Sequence, residues 1–146
     1  DKLLDLRMVY DSYKPILLKV SPDLSHQQLD EIIEYCLRSG IDGLVAGNTT
    51  RSRDGITSIS KEKIEEIGNG GMSGAPLHQK NLELVKYVHT KSEGKLPIIG
   101  VGGIMSPEQA KAMLDAGASL VEIYTGFIYE GPALVKNIIK HLETTL

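Results

Sequence analysis

The chain has 146 residues, enough for one compact domain with a real core. With 41% hydrophobic residues, 24% charged residues and a net charge of -3, it has neither the basic surface of a nucleic-acid binder nor the composition of a disordered chain. No apolar run nears the roughly 20 residues that cross a bilayer, and the single cysteine with four scattered histidines shows no metal-ligand spacing.

Leu3 to Tyr10 reads as a helix already under way at residue 1, so residues 1–12 precede the first strand. From there one pattern repeats four times: a short β-branched run, a polar or glycine-rich turn, then an amphipathic helix. The first run is Pro15-Ile16-Leu17-Leu18-Lys19-Val20. Its helix opens at Ser25, with Gln28 completing a capping box, carries Leu29, Ile32, Ile33, Cys36 and Leu37 on one face, and stops at Gly40.

The second run, Gly43-Leu44-Val45-Ala46, ends in Gly47-Asn48-Thr49-Thr50. A long polar stretch from Arg51 to about Gly74 follows. Arg51, Arg53 and the Lys61 to Glu66 run read as a solvated loop face, and the next helix carries Leu77, Leu84, Val85 and Val88. The third run, Pro97 to Val101, meets Gly102-Gly103 and a helix with Ser106 as N-cap, Pro107 in the first turn and Gln109 closing a second capping box. The fourth run, Ser119 to Tyr124, meets Thr125-Gly126. The last helix starts near Pro132 and should bury Leu134, Val135, Ile138, Ile139 and Leu142.

Strands alternating with helices imply parallel pairing and right-handed crossovers. Periodicity alone leaves open an open doubly wound sheet or half of a (β/α)8 barrel. In either case ligands bind at the carboxyl ends of the strands, here marked by Lys19, Asn48-Thr49, Gly102-Gly103 and Tyr124-Thr125-Gly126. The last two ends are glycine-containing turns running into helices, which suits an anion as well as a plain tight turn. Lys19, after three apolar residues, is a cation near an anionic ligand or a lysine snorkelling at a strand end. Asn48 and Thr49 offer an amide and a hydroxyl to a planar polar substrate, or simply form a turn. Gly70-Gly71-Met72-Ser73-Gly74 is either another cradle of backbone N–H groups or a flexible linker. No dinucleotide fingerprint or Walker lysine motif is present.

Taken together, these segments resemble the class 2, quinone-dependent dihydroorotate dehydrogenases. Ile16-Leu17-Leu18-Lys19-Val20-Ser21-Pro22-Asp23-Leu24 is similar to their lysine strand, and Gly43 to Thr50 to their "N-T-T" substrate strand. Gly70 to Leu77 is similar to their "GG-hydrophobic-SG-x-P-L" loop. Pro97 to Ile104 and Ala116 to Gly126 are similar to their phosphate-binding pair, and Phe127 to Pro132 extends the likeness into the last helix.

The resemblance implies an α/β fold of the (β/α)8 TIM-barrel type, with residues 1–146 forming its C-terminal half as about four βα units. It implies flavin mononucleotide (FMN) as cofactor, dihydroorotate and orotate as substrate and product, and a quinone as electron acceptor in pyrimidine synthesis. By position, Lys19 would lie beside the flavin ring. Gly47, Gly74, Gly102, Gly103, Tyr124 and Thr125 would bind the flavin, with Gly103, Tyr124 and Thr125 around its phosphate; Asn48 and Thr49 would hydrogen-bond orotate. The family's serine base, expected upstream of Asp1, has no match here, since Ser21 and Ser73 lack its context. The fragment alone is therefore expected to be inactive. The parent is expected to sit peripherally on the cytoplasmic side of the inner membrane. Lacking the N-terminal half of the barrel, the fragment should form a homo-oligomer. The alternatives are another FMN barrel, such as a class 1 enzyme or a dihydropyrimidine dehydrogenase domain, and a non-catalytic phosphate-binding half-barrel.

Overall fold

Four short parallel strands carry the architecture of the computed structural model, which describes residues 2–54, 56 and 59–145. They are β1 (Leu17–Val20), β2 (Gly43–Ala46), β3 (Ile98–Val101) and β4 (Leu120–Glu122), hydrogen-bonded in the order β1-β2-β3-β4. Strands adjacent in sequence are thus adjacent in space, with a helical crossover between each pair, as in a (β/α)8 wall. Around them lie α1 (Lys2–Arg7), α2 (His26–Ser39), α3 (Lys61–Ile67), α4 (His78–Lys91), α5 (Pro107–Asp115), α6 (Thr125–Glu130) and α7 (Pro132–Thr145), with a 3-10 turn at Ala75–Leu77.

Register decides which face each strand residue serves. Leu18, Leu44 and Ile98 form one row, and Val20, Ala46, Gly100 and Val121 the next. This face packs on α2, α4, α5 and α7: Leu29, Ile33, Val85, Val88, Met113 and Ile138 belong to the same core as Val20, Leu44 and Ile98. The opposite, concave face carries Lys19, Val45, Ile99 and Leu120 in one row, and Val101 with Glu122 in another. Leu18 is therefore not a barrel-facing residue; it packs against the helical layer. The parity of the pleat puts its neighbours Leu17 and Lys19 on the concave side instead.

Capping follows the sequence closely. Ser25 and Gln28 form the full capping box of α2, and Gly40 ends that helix in the left-handed region at φ 79°. At α5 only half of the box forms. The Ser106 side chain accepts from the Gln109 N–H, while Gln109 turns back one residue further to accept from the Met105 N–H at 2.8 Å.

Several expectations need correction, and one is Leu37, which is exposed rather than part of the buried face of α2. The first helix ends at Arg7, and 3-10-type bonds such as Val9 N–H to Leu6 O carry the chain through a turn to Tyr10. Asp1 lies outside the described residues. The Lys61 to Glu66 run is not a loop but part of α3, capped by Ser60 and stopped at Gly68. In α7 the buried stripe is Leu134 and Ile138, whereas Val135 and Ile139 face outward. α7 packs on α5 and α6, and the residues one position along from the i, i+4 row turn away from the core.

At the amino ends of the strands, Asp42 ties α1 to the sheet. Its carboxylate accepts from the Ile16 N–H (2.7 Å), from Arg7 (2.7 Å) and from the Tyr13 hydroxyl. The Tyr13 and Ile16 hydrogen bonds, with the Arg7 charge, hold the Asp42 carboxyl below its usual pKa. A depressed carboxyl contributes stability that is present above its unfolded value and lost as pH falls through the folded value. Between about pH 5 and pH 3, wild type should therefore lose more unfolding free energy in urea than Asp42→Asn does. Equal losses would remove Asp42 from the acid response.

Candidate functional site

All four strands point their carboxyl ends at one rim, so each strand delivers its terminal residues to the same place. β1 brings Lys19 on the concave face, and β2 runs on into Gly47-Asn48-Thr49. β3 leads into Gly102-Gly103, and β4 into Tyr124 and Thr125. All of these, together with Gly74, line a single cleft of about 240 Å³. Ser73, Leu77, Val101, Ile104, Glu122 and Gly126 complete its walls. The residues that the resemblance places at flavin and substrate thus line one cleft, while of Gly70 to Gly74 only Ser73 and Gly74 reach it. The cleft lies below the roughly 300–1,000 Å³ of a self-contained small-molecule pocket, so its walls enclose only part of a ligand of that size.

The glycine turns are required by contact as well as by conformation. Gly103 has φ 72°, and a Cβ there would strike the backbone of His78. The turn therefore presents bare backbone to the cleft. Behind it sits Asn81, fully buried, whose amide donates to Val101 O at 2.8 Å. The Gly47 N–H donates to the same carbonyl at 3.1 Å, so Asn81 and Gly47 together close the ends of β2 and β3. Asn81 Oδ1 and His78 Nδ1 are buried without a hydrogen-bond partner among the described residues. Burial also pushes the His78 imidazole pKa down, which favours its neutral form.

The Gly70 to Gly74 segment is not a flexible linker. Met72 pairs with Thr50 in an antiparallel bridge, and the Thr125 hydroxyl donates to Ser73 Oγ at 3.1 Å, which ties the segment to the end of β4. Arg53 secures it from the other side, donating to Thr50 O at 3.3 Å and to the carbonyl of Gly70. Only a guanidinium offers a planar fan of five donors able to collect several loop carbonyls. Asn48 and Thr49 remain exposed, with the Thr49 N–H donating to Asn48 Oδ1 at 2.9 Å. They also line a second, more polar hollow with Ser21, Asp23, Leu24, Arg51, Asn69 and Gly71.

Lys19 is exposed rather than buried, because the concave face it occupies is open in this chain. Sequence reasoning missed Arg53, Asn81 and Glu122. Asn81 left a signal: it falls on the apolar stripe of Leu77, Leu84, Val85 and Val88, where a polar residue asks for a partner. Glu122 left one as well, as an acid on the cleft-facing side of a short strand. Nothing local marks Arg53, since its acceptors include carbonyls fifteen and more residues away.

Chemically, the rim combines a lysine, bare backbone turns, an amide–hydroxyl pair and one carboxylate. That set suits an anionic ligand at the β3–β4 side and a planar polar one at the β2 side.

A family model described as dihydroorotate dehydrogenase matches residues 3–146. A Salinispora arenicola protein named dihydroorotate dehydrogenase (quinone) is 50% identical over 123 residues, covering 84% of this chain and 36% of the relative. A Christiangramia forsetii protein of the same name is 51% identical over 125 residues, covering 86% and 35%. The solved structure of DHODH from Eimeria tenella in complex with ferulenol aligns at a TM-score of 0.82 and 31% identity, covering 91% of this chain and 34% of that one. The chain thus spans little more than a third of the length of these curated relatives. Its four strands form part of a (β/α)8 barrel, and the likeness holds in sequence and in backbone over almost its whole length. This chain belongs to the dihydroorotate dehydrogenase family.

Proposed function

We propose that this chain forms one half of an FMN-binding barrel. When complete, that barrel oxidises dihydroorotate to orotate and passes the electrons to a quinone in pyrimidine synthesis. One observation carries the reading: Lys19, Asn48, Thr49 and the glycine turns, matched to the family by position, converge on one cleft. The names of the relatives favour the quinone-dependent class over other flavin barrels.

The cleft fits FMN at its phosphate end. Gly102, Gly103, Tyr124 and Thr125 line that end, so a backbone turn rather than bulky side chains borders the place for an anion. In this reading Gly47, Gly74, Gly102, Gly103, Tyr124 and Thr125 hold the cofactor, with the last three around its phosphate. Lys19 places its ammonium beside the ring, and Asn48 with Thr49 donates to and accepts from the edge of orotate. The bound flavin would supply the hydride acceptor. The complete protein works at the cytoplasmic face of the inner membrane, bound peripherally. Among the described residues no helix is long and apolar enough to cross a membrane.

The test is Lys19→Ala in the complete flavoenzyme. Removing a cation near the ring should weaken FMN binding and shift the two-electron potential negative by on the order of 30 mV. An unchanged potential removes Lys19 from the ring, and a wild type that leaves dihydroorotate unoxidised sinks the whole reading.

A further inference from the structure

Asn48 and Thr49 are exposed, and their one mutual hydrogen bond does not fix them to the rest of the fold. What fixes them is the next residue. Thr50 is 2% exposed, and each of its polar groups is engaged. Its N–H donates to Met72 O (3.1 Å), and its carbonyl accepts from Met72 N (2.7 Å) and from Arg53. Its hydroxyl donates to Asp23 Oδ1 (2.5 Å) and accepts from Lys80 Nζ (3.0 Å) and the Ser52 N–H (3.1 Å). Lys80 also pairs directly with Asp23, whose other oxygen accepts from the Arg51 N–H at 2.8 Å. Three elements meet here: the β1–α2 loop through Asp23, the end of β2 through Thr50, and the first turn of α4 through Lys80.

We propose that Asp23, Thr50 and Lys80 are positioning residues that set the Asn48–Thr49 turn for the substrate. This rests on the assignment of that turn to orotate. The arrangement exceeds what the fold requires. Asp23 and Lys80 keep side-chain exposures of 30% and 38%, so they bury little apolar surface, and the β2–β3 pairing is closed separately by Asn81 and Gly47. Burial raises the Asp23 carboxyl pKa, but the bonds from Lys80, Thr50 and Arg51 outweigh it and hold the group at about 2. The carboxylate therefore stays charged through the working range, and Lys80 neutralises it beside a site meant for an anionic substrate. Losing Lys80 both frees the turn and leaves an uncompensated negative charge at the rim of the second hollow.

The experiment uses the complete flavoenzyme with Lys80→Met, Lys80→Arg and Thr50→Val. Lys80→Met and Thr50→Val should raise KM for dihydroorotate about 5–30-fold while kcat stays within about threefold and FMN content is unchanged. Lys80→Arg, which can still reach Asp23, should restore most of the loss. An unchanged KM overturns the proposal. So does a joint loss of flavin and thermal stability, which marks a role in the fold alone, or a Lys80→Arg enzyme as impaired as Lys80→Met. If the wild type does not oxidise dihydroorotate, the functional reading falls and amide exchange decides the clamp. Thr50 and Met72 N–H groups should then exchange faster in Lys80→Met, with Gly47 unchanged; unaltered exchange at all three overturns it.

Discussion

The 146-residue chain on its own should leave dihydroorotate unoxidised, even with FMN and a quinone or dye acceptor supplied. Removing a carbon-bound proton calls for a base at hydrogen-bond reach of it, and such a group contributes about 10²–10⁴-fold. Asp23 shares the second hollow with Asn48 and Thr49, but Lys80, Thr50 and the Arg51 N–H engage both its oxygens and hold it at a pKa of about 2, which makes it a poor proton acceptor. Ser73 lines the cleft, but its hydroxyl is engaged by Thr125. Ser21 lies in the second hollow without the context of the family's serine base. Glu122 is a carboxylate in the cleft, yet it belongs to β4, two strands from the end of β2 and so roughly 10 Å away at the usual strand spacing. The cleft also lacks the volume to hold a flavin against a substrate by itself. A steady-state assay of the purified chain settles the matter, and clear turnover would show a base among these residues.

A second large effect is expected in the chain's state of association. The concave face exposes Leu17 (38%) and Leu120 (62%), and these residues stand on β1 and β4, the two unpaired edges of the sheet. Fully burying one leucine is worth about 1.5–3 kcal/mol. Covering both adds a few kcal/mol to a domain whose total stability is typically about 5–15 kcal/mol. The open edges add a second drive, since their unpaired N–H and C=O groups accept another strand. The separate chain should therefore form a dimer or larger assembly through the concave side of its strands. Light scattering at micromolar concentration would show it; a monomer with all four strands intact would show that the open face is tolerated in water.

Much of this architecture was legible in the residues. β2 coincides with its run, Gly43–Ala46, whereas β1, β3 and β4 are shorter than theirs because the terminal residues of those runs have no ladder partner. Pro15, which has no N–H, lies outside β1, and Tyr124 has already left β4. The cleft was legible for the same reason: parallel strands with short turns must bring their ends together. What escaped was set by partners distant in sequence. Helix α3 buries no residue, so no apolar stripe announced it, although Ser60 and Gly68 stood at its ends. The face that Leu18 serves is not legible, because an all-apolar run carries no alternation to reveal its parity. Arg53 and Lys80 look like ordinary surface charges until the carbonyls and the carboxylate they serve are seen folded beside them.

The bridge between Thr50 and Met72 has a consequence for how the family can change. It joins the two ends of the excursion that holds α3, so the span the barrel must close is the same whatever lies between them. Doubling the length of a closed loop costs only about 0.6 kcal/mol, and α3 contributes nothing to the core. Insertions, deletions or a grafted peptide would be absorbed there at little cost to folding. The two anchor residues and Arg53 would not tolerate the same freedom, because they hold the doorway shut behind whatever is inserted.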